Sequence, residues 1–209
     1  MAIPTITDRA RGDAVARLLL AHGAGAPMDS PFMAQIARLL ADRHIDVVRF
    51  EFPYMAERRA TGKKRPPNRQ PELLDTWRMV FSQQQAATVP TYIGGKSMGG
   101  RMAAIIANEL ACAGVVCLGF PFYPAGKPEK NRVETLQQIK KPTLVIQGQR
   151  DSLGNKETVS QYKLAKSVAI NWLADGDHDL KPRKRSGHSH EEHLIRAADR
   201  IAEFVGAGS

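Results

Sequence analysis

The sequence predicts an α/β fold with a mainly parallel sheet of about six or seven strands and helices on both faces. Apolar runs alternate along the chain with segments of helical periodicity, which is the pattern of strand–helix–strand units. Two of these runs, GVVCLG and TLVIQG, show little polar alternation, as expected of strands whose two faces are both covered. The chain has 209 residues, of which 43% are hydrophobic, so we expect a single domain over residues 1–209.

The first half of the chain carries three predicted strands. The first, VARLLLA at residues 15–21, ends in the glycine-rich segment HGAGAP. A helix is expected to start at Ser30 and Pro31, because serine is a common cap and proline suits the first helical turn. The next elements are a strand at 45–52 stopped by Pro53, a basic loop at 57–71, a helix over about 72–88 and a strand at 90–95.

The second half of the chain continues the alternation. It contains a predicted helix at 98–112, strands at 114–119 and 143–148, a weaker strand at 167–173, and a last helix that starts with the capping box Ser189–Glu192. The segments HGAGAP, GGKSMGG, GFPFYP, QGQRD and DGDHD all follow predicted strands. Functional groups collect at the carboxyl ends of parallel strands, so we expect the site at this edge of the sheet.

The net charge of +9 is concentrated in two short segments. Residues 57–69 carry six basic residues and one acid, and residues 181–185 carry four basic residues and no acid, so the remainder of the chain is neutral. Nucleic-acid binders usually spread positive charge over a face of the fold, so this pattern argues against a nucleic-acid partner. Both segments contain proline or glycine and are predicted loops at the carboxyl edge of the sheet. There they either serve solubility or form a positive rim that attracts an anionic substrate or partner.

Other features bear on location and cofactors. No apolar run approaches the length of a membrane span, and the first residues lack the apolar stretch of a secretory signal. The two cysteines are too few for a disulfide framework, and no Cys/His cluster has zinc spacing. These observations predict a cytoplasmic protein without a metal or cofactor.

The segment GGKSMGGR places Gly95-x-Ser97-x-Gly99 between a predicted strand and a predicted helix. This is the nucleophile-elbow pattern, in which a serine sits on a strained turn at the start of a helix. Side chains at positions 95 and 99 would collide with the neighbouring backbone, which explains the two glycines. The first N–H groups of the helix can then face developing negative charge.

A nucleophilic serine needs a base, and the base needs a carboxylate that orients it. His178 lies on a loop before the last helix, and Asp151 directly follows the strand TLVIQG. The chain order serine, carboxylate, histidine is the order expected for this pattern. The nearby carboxylates Asp175, Asp177 and Asp179 are expected to form turns instead. The rival histidines are His44 at the wrong edge of the sheet, and His188, His190 and His193, which we expect at the surface with His188 as a second choice.

The segment HGAGAP at 22–27 consists mainly of small residues that let backbone N–H groups approach a substrate oxygen. The N–H of Ala24, with Gly25 as an alternative, and the N–H of Met98 are therefore the predicted oxyanion hole. Phe120 and Tyr123 follow a strand in a proline-rich loop and are tentative substrate contacts beside Gly25, although ordinary packing explains them equally well.

Seven segments together resemble the small, lidless α/β-hydrolases related to dienelactone hydrolase: GGKSMGGR, HGAGAPMDSPFM, RFEFPYM, KKRPP, GFPFYPAGKP, QGQRD and DHDLKPR. That family includes predicted bacterial hydrolases, a eukaryotic testis-expressed protein and the hydrolase-like part of a histone-acetyltransferase complex subunit. The resemblance covers residues 15 to 206 and implies an α/β-hydrolase fold with a Ser97–Asp151–His178 triad. The chain is short for this fold and is expected to lack its usual first strands and a cap domain.

The sequence therefore predicts a serine hydrolase that cleaves an ester or thioester through an acyl-enzyme. The alternative is a hydrolase-like scaffold that binds an acidic partner without catalysis, since fold alone does not fix function. The acyl group, the leaving group and the oligomeric state stay open.

Overall fold

A computed structural model describes residues 3–206 of the chain. One seven-stranded sheet has the order β1-β3-β2-β4-β5-β6-β7, and every neighbouring pair is parallel except β1 with β3. The predicted mainly parallel sheet is thus confirmed. The strands are β1 (Thr5–Asp8), β2 (Ala16–Ala21), β3 (Ile45–Phe50), β4 (Thr91–Lys96), β5 (Val115–Leu118), β6 (Thr143–Gly148) and β7 (Val168–Leu173).

Helices cover both faces of the sheet. They are α1 (Pro31–Ala41), α2 (Pro53–Thr61), α3 (Gln70–Gln84), α4 (Met98–Ile106), α5 (Glu134–Gln138), α6 (Lys156–Val159) and α7 (His190–Gly206). α1 and α7 pack on one face against residues such as Leu20 and Ile146, while α3 and α4 pack on the other around Trp77 and Phe50. The β2–β6 residues are almost all buried, because each of these strands is sandwiched between two helical layers. Within residues 3–206 no helix is both long and apolar enough to cross a membrane.

Several elements differ from the sequence prediction. Residues 57–61 belong to α2 rather than to a loop, and Pro53 starts that helix instead of merely ending the strand. A first strand does form as β1, whose side chains alternate between exposed and half-buried at the sheet edge. Both elements bury too little apolar surface to produce a hydropathy signal. The helices predicted at 72–88 and 98–112 end earlier, at Gln84 and Ile106, whereas the predicted capping box forms between Ser189 and Glu192.

The topology creates a crevice between β2 and β4. The chain leaves β2 through α1 towards β3 on one side, and leaves β4 through α4 towards β5 on the other side. The two connections diverge at the carboxyl ends of neighbouring strands, which is a topological switch point and the usual place for a site in an open parallel sheet.

Candidate active site

Ser97 occupies the strained turn between β4 and α4. Its φ is 51° and its ψ is −113°, a backbone conformation that costs a non-glycine residue about 1–3 kcal/mol. A Cβ at Gly95 or at Gly99 would lie only 2.6 Å from the carbonyl oxygen of Ala21, so both positions require glycine. The two glycines therefore let the start of α4 lie directly against the end of β2.

Ser97, His178 and Asp151 form one continuous hydrogen-bonded chain. His178 Nε2 lies 2.9 Å from Ser97 Oγ, and His178 Nδ1 lies 2.8 Å from Asp151 Oδ2. Because the carboxylate accepts from Nδ1–H, the neutral imidazole presents its unprotonated Nε2 to the serine hydroxyl. Ser97 is half-buried and the His178 side chain is 25% exposed, whereas Asp151 is fully buried.

The carboxylate of Asp151 is held by two further donors. Its Oδ2 also accepts from Gln147 Nε2 at 2.8 Å, and its Oδ1 accepts from the Leu153 N–H at 2.8 Å. Gln147 thus holds the Asp151 carboxylate in place, a contact that was not predicted from the sequence. The available signal was a glutamine inside the otherwise apolar strand TLVIQG, where it is fully buried.

The loop that carries His178 is shaped by its other aspartates. Asp177 Oδ1 accepts from the N–H groups of Asp179 and Lys181, each at 2.9 Å. Asp175 pairs with Arg150 and Arg183, and this holds its pKa well below its usual range, chiefly through the Arg183 hydrogen bonds. The Asp175 and Asp177 side chains bond backbone or arginine and not the His178 ring, in agreement with their predicted turn-forming role. Asp179 was expected to act in the same way, but its carboxylate pairs with Lys96 instead.

The segment HGAGAP is fixed from behind by its own histidine and by α2. His22 Nδ1 donates to the Gly23 carbonyl at 2.7 Å, and His22 Nε2 accepts from the Phe52 N–H at 3.1 Å. Tyr54 Oη donates to the carbonyl of Ala24 at 3.0 Å and lies 3.3 Å from that of Gly23. In a trans peptide the N–H points opposite to the preceding carbonyl, so the Ala24 N–H points away from His22 and Tyr54.

A cavity of about 380 Å³ lies at the switch point in front of Ser97. It is bounded by residues from the β2 loop, the start of α1, the end of β4 and the His178 loop; these are Gly23, Ala24, Gly25, Ala26, Ser30, Phe32, Met33, Lys96, Ser97, His178 and Asp179. Ala24 lines the cavity and Met98 directly follows Ser97, and neither N–H has a backbone acceptor among residues 3–206.

Phe120 and Tyr123 do not line this cavity. Both side chains are buried in the core, and they lie beneath the turn that carries Asp151. The Phe120 N–H donates to Gln147 Oε1 at 2.7 Å, and Tyr123 Oη accepts from Asn155. The expectation of substrate contacts at these two positions is therefore replaced by a supporting role, because the loop after β5 turns inward under the β6 turn.

The rival histidines stay away from Ser97. His44 is exposed at the amino end of β3, and His188 packs its ring against His193 at 5.5 Å between ring centres. His193 was expected at the surface, but it is fully buried and donates from Nδ1 to the Leu180 carbonyl at 2.8 Å. His190 lies beside the cavity wall, 6.5 Å between ring centres from Phe32.

Part of the charge in the two basic segments is neutralised within the protein. Arg59 pairs with Asp29 and with the buried carboxylate of Glu51, and Arg65 pairs with Glu57. Arg183 is neutralised in the same way by Asp175. Among the residues described, the basic side chains of these segments without an ion pair are Arg58, Lys63, Lys64, Arg69, Lys181, Lys184 and Arg185.

Comparisons with known proteins agree with this geometry. Residues 14–206 match the sequence model of a family described as the alpha/beta hydrolase domain. An α/β serine hydrolase homologue from Coxiella burnetii is 17% identical, with a TM-score of 0.68 over 96% of this chain and 90% of that chain. A serine hydrolase without a lid from Xanthomonas campestris is 19% identical, with a TM-score of 0.64 over 95% of this chain and 89% of that chain.

A third similar structure is the dienelactone hydrolase of Anabaena variabilis, which is 18% identical. Its TM-score is 0.65, over 97% of this chain and 90% of that chain. Together these comparisons confirm the predicted α/β-hydrolase fold without a cap domain and the resemblance to lidless relatives of dienelactone hydrolase.

The buried His22 makes the fold sensitive to acid. Burial lowers the pKa of His22. The hydrogen bond to Gly23 and nearby Glu51 raise it by less, and nearby Arg59 lowers it further. The unfolded chain takes up a proton near pH 6.5 while the folded chain keeps the imidazole neutral, so the free energy of unfolding falls as the pH falls below that value. We expect the wild type to lose more unfolding free energy between pH 7 and pH 5 than His22→Gln, by on the order of 1 kcal/mol.

Urea denaturation at the two pH values measures this difference. Glutamine keeps an acceptor for the Phe52 N–H but does not titrate. The matched control is His44→Asn, which removes an exposed imidazole and suits the φ of 63° at that position. If the free energy of unfolding depends equally on pH in the wild type and in His22→Gln, His22 does not stay neutral in the folded chain.

Proposed function

Because the chain belongs to the alpha/beta hydrolase domain family, we propose that it is a serine hydrolase that cleaves an ester or thioester through a Ser97–His178–Asp151 triad. The observation that carries the proposal is the hydrogen-bonded chain from Ser97 Oγ through the imidazole to the buried carboxylate. A binding scaffold has no need of a serine on a strained turn with a base at 2.9 Å.

The proposed reaction has two stages. Ser97 Oγ attacks the carbonyl carbon while His178 Nε2 takes the hydroxyl proton, and the imidazolium then gives that proton to the leaving alcohol or thiol. A water molecule attacks the resulting acyl-enzyme in the same way and releases the acid and free Ser97. Asp151 holds the imidazole in the productive tautomer and stabilises its charged form throughout.

Two backbone N–H groups are proposed to hold the oxyanion. The Met98 N–H belongs to the first residue of α4, where the helix dipole favours negative charge. The Ala24 N–H comes from the β2 loop, whose carbonyls are turned towards His22 and Tyr54. Each such donor is typically worth about 3 kcal/mol of transition-state stabilisation.

The preferred substrate is proposed to be an anionic ester or thioester of modest size. The cavity of about 380 Å³ limits the acyl group, and its Phe32 and Met33 side chains suit an apolar one. The basic segments follow β3 and the His178 loop, so they lie at the edge that carries Ser97. The unpaired cations at Lys63, Lys64 and Lys184 supply the positive field there.

Removing the nucleophile tests the proposal most directly. Ser97→Ala deletes one oxygen and should leave the fold intact, but it should abolish labelling by a fluorophosphonate probe and reduce hydrolysis of an activated ester below about a hundredth. Intact-mass spectrometry measures the labelling, and Ser82→Ala on the exposed face of α3 is the control. A wild type that takes up no probe and hydrolyses no ester would favour the scaffold alternative.

The carboxylate assignment can be separated from its neighbours. Asp151→Asn should reduce turnover by about three to four orders of magnitude, because the amide stabilises the wrong imidazole tautomer. Asp177→Asn keeps the oxygen that accepts from Asp179 and Lys181 and should have little effect. Steady-state kinetics on one activated ester decides, and a more damaging Asp177→Asn would refute the assignment of Asp151.

Salt dependence tests the proposed anionic preference. Steering by a positive rim is screened by salt, with a Debye length of about 8 Å at physiological ionic strength. The kcat/KM for an anionic ester should therefore fall with added salt, while a neutral ester of similar size should respond little. Replacing Lys63, Lys64 and Lys184 by Gln should remove the difference.

The matched control replaces the same number of lysines away from the site. Lys140, Lys163 and Lys166 precede β6 and β7 and therefore lie at the opposite edge of the sheet. Their replacement by Gln should preserve the difference between the two esters. If the unaltered protein gives both esters the same salt response, the cations have no steering role.

A further inference from the structure

Lys96 is a buried cation directly beside the proposed nucleophile. It ends β4, precedes Ser97 in the chain and is only 7% exposed. Lysine is almost never buried without a partner, because removing an ammonium from water is costly. Burial lowers the pKa of the Lys96 ammonium, whereas Asp179 and, more weakly, Asp151 and Asp177 raise it.

The partners of Lys96 lie around the candidate active site. Its Nζ donates to the His178 carbonyl at 2.8 Å, forms an ion pair with Asp179 at 3.2 Å and lies 5.6 Å from the centre of the Phe32 ring. Two of these groups belong to the loop of the catalytic base, and the third lines the cavity. The ammonium thus joins the strand of the nucleophile to the loop of the base.

The meeting of Lys96 with this loop needs space that a glycine provides. A Cβ at Gly119, where φ is +66°, would lie 2.7 Å from the His178 carbonyl oxygen and 3.3 Å from Lys96 Nζ. Within residues 3–206, the direct bonds from the loop 174–183 to the end of β4 and the elbow are those of Lys96 and the His178–Ser97 bond itself. The other bonds of the loop run within it or to neighbouring segments such as the turn after β6 and α7.

We propose that Lys96 is a positioning residue that holds the backbone of His178 against Ser97, with Asp179 balancing its charge. The inference rests on the proposed serine-hydrolase function. A catalytic imidazole must stay within hydrogen-bond reach of the nucleophile, and a misplacement of 1 Å can cost about a hundredfold in rate. Lys96 restrains the carbonyl, and its pairing with Asp179 keeps the charge beside the imidazole near neutral.

Three variants separate positioning from simple packing. Lys96→Met removes the hydrogen-bond donor and leaves the negative charge of Asp179 without its partner. Asp179→Asn leaves the positive charge of the Lys96 ammonium without its partner, and the double variant carries neither charge. The other titratable groups that face this cluster are Asp151 from the β6 turn, Asp177 from the same loop and His190 from α7, which bonds the Asp179 carbonyl. All variants share these groups, so differences between variants report on Lys96 and Asp179.

The experiment measures the rate of fluorophosphonate labelling of Ser97 against pH. We expect Lys96→Met to label at least about tenfold more slowly at the alkaline plateau, since the base is misplaced. The acid limb of its profile, where the labelling rate falls with falling pH, should move to higher pH. The reason is that the Asp179 carboxylate, without the Lys96 ammonium, favours the imidazolium. Asp179→Asn should move the limb to lower pH. The double variant should restore the limb but stay slow.

Lys166→Met, an exposed lysine before β7, is the matched control and should behave as the wild type. Plateau rate and acid limb both unchanged in Lys96→Met would overturn the inference. The inference would also be overturned if Lys96→Met labels slowly but the acid limb moves neither in Lys96→Met nor in Asp179→Asn. Loss of packing alone would explain that result. A wild type that is not labelled at all would instead refute the proposed function on which the inference rests.

Discussion

The close approach of the elbow to the end of β2 is the constraint on which the site depends. The carbonyl oxygen of Ala21 lies only 2.6 Å from the position that a Cβ would take at Gly95 or at Gly99. Without those side chains, the start of α4 presses against β2 and brings the Ala24 loop beside Ser97. The two N–H groups proposed to hold the oxyanion, those of Ala24 and Met98, therefore come from segments more than seventy residues apart in sequence. The strain at Ser97 is offset by packing that no flexible turn could provide.

Glycines also permit close backbone contact where the loop of His178 crosses the sheet edge. A Cβ at Gly148 would lie 2.2 Å from the Asp177 carbonyl oxygen, so the end of β6 passes directly beneath the loop. Gly119 leaves room in the same way for the His178 carbonyl and Lys96 Nζ. Backbone contacts at three strand ends thus bring the elbow and the His178 loop close together, and under the proposal above the Lys96 side chain then fixes the position of the His178 backbone.

Chain order and strand position were enough to predict the three residues of the hydrogen-bonded chain. Ser97, Asp151 and His178 each come after a strand. Because parallel strands bring their carboxyl ends to one edge, these positions were sufficient to predict that the three residues lie close together. Gln147 and Lys96 were not found, because one polar residue at the end of an apolar strand gives no indication of its partner. Their partners lie on other strand ends, and only the folded sheet shows the pairing.

The remaining misses have a common physical origin. The short strand Thr5–Asp8 and the helix Pro53–Thr61 are held by pairing and by a few contacts, so their sequences carry no strong periodicity. His193 was misplaced, and packing could not be distinguished from substrate contact at Phe120 and Tyr123, because a residue type does not say whether a loop turns inward or outward. Both basic segments were predicted to be loops, but residues 57–61 are helical, and the acids that neutralise Arg59 and Arg183 come from other segments.

The exposure of His178 has a consequence for the timing of turnover. A quarter of its side chain faces solvent, and the Ala24–Ala26 wall of the cavity is exposed as well. Under the proposed mechanism, bulk water reaches the imidazole without the opening of a lid, so no slow conformational gate precedes the second stage. The lifetime of the covalent intermediate is then set by the reactivity of its acyl bond, and acceptors other than water compete for it according to their concentration and their nucleophilicity.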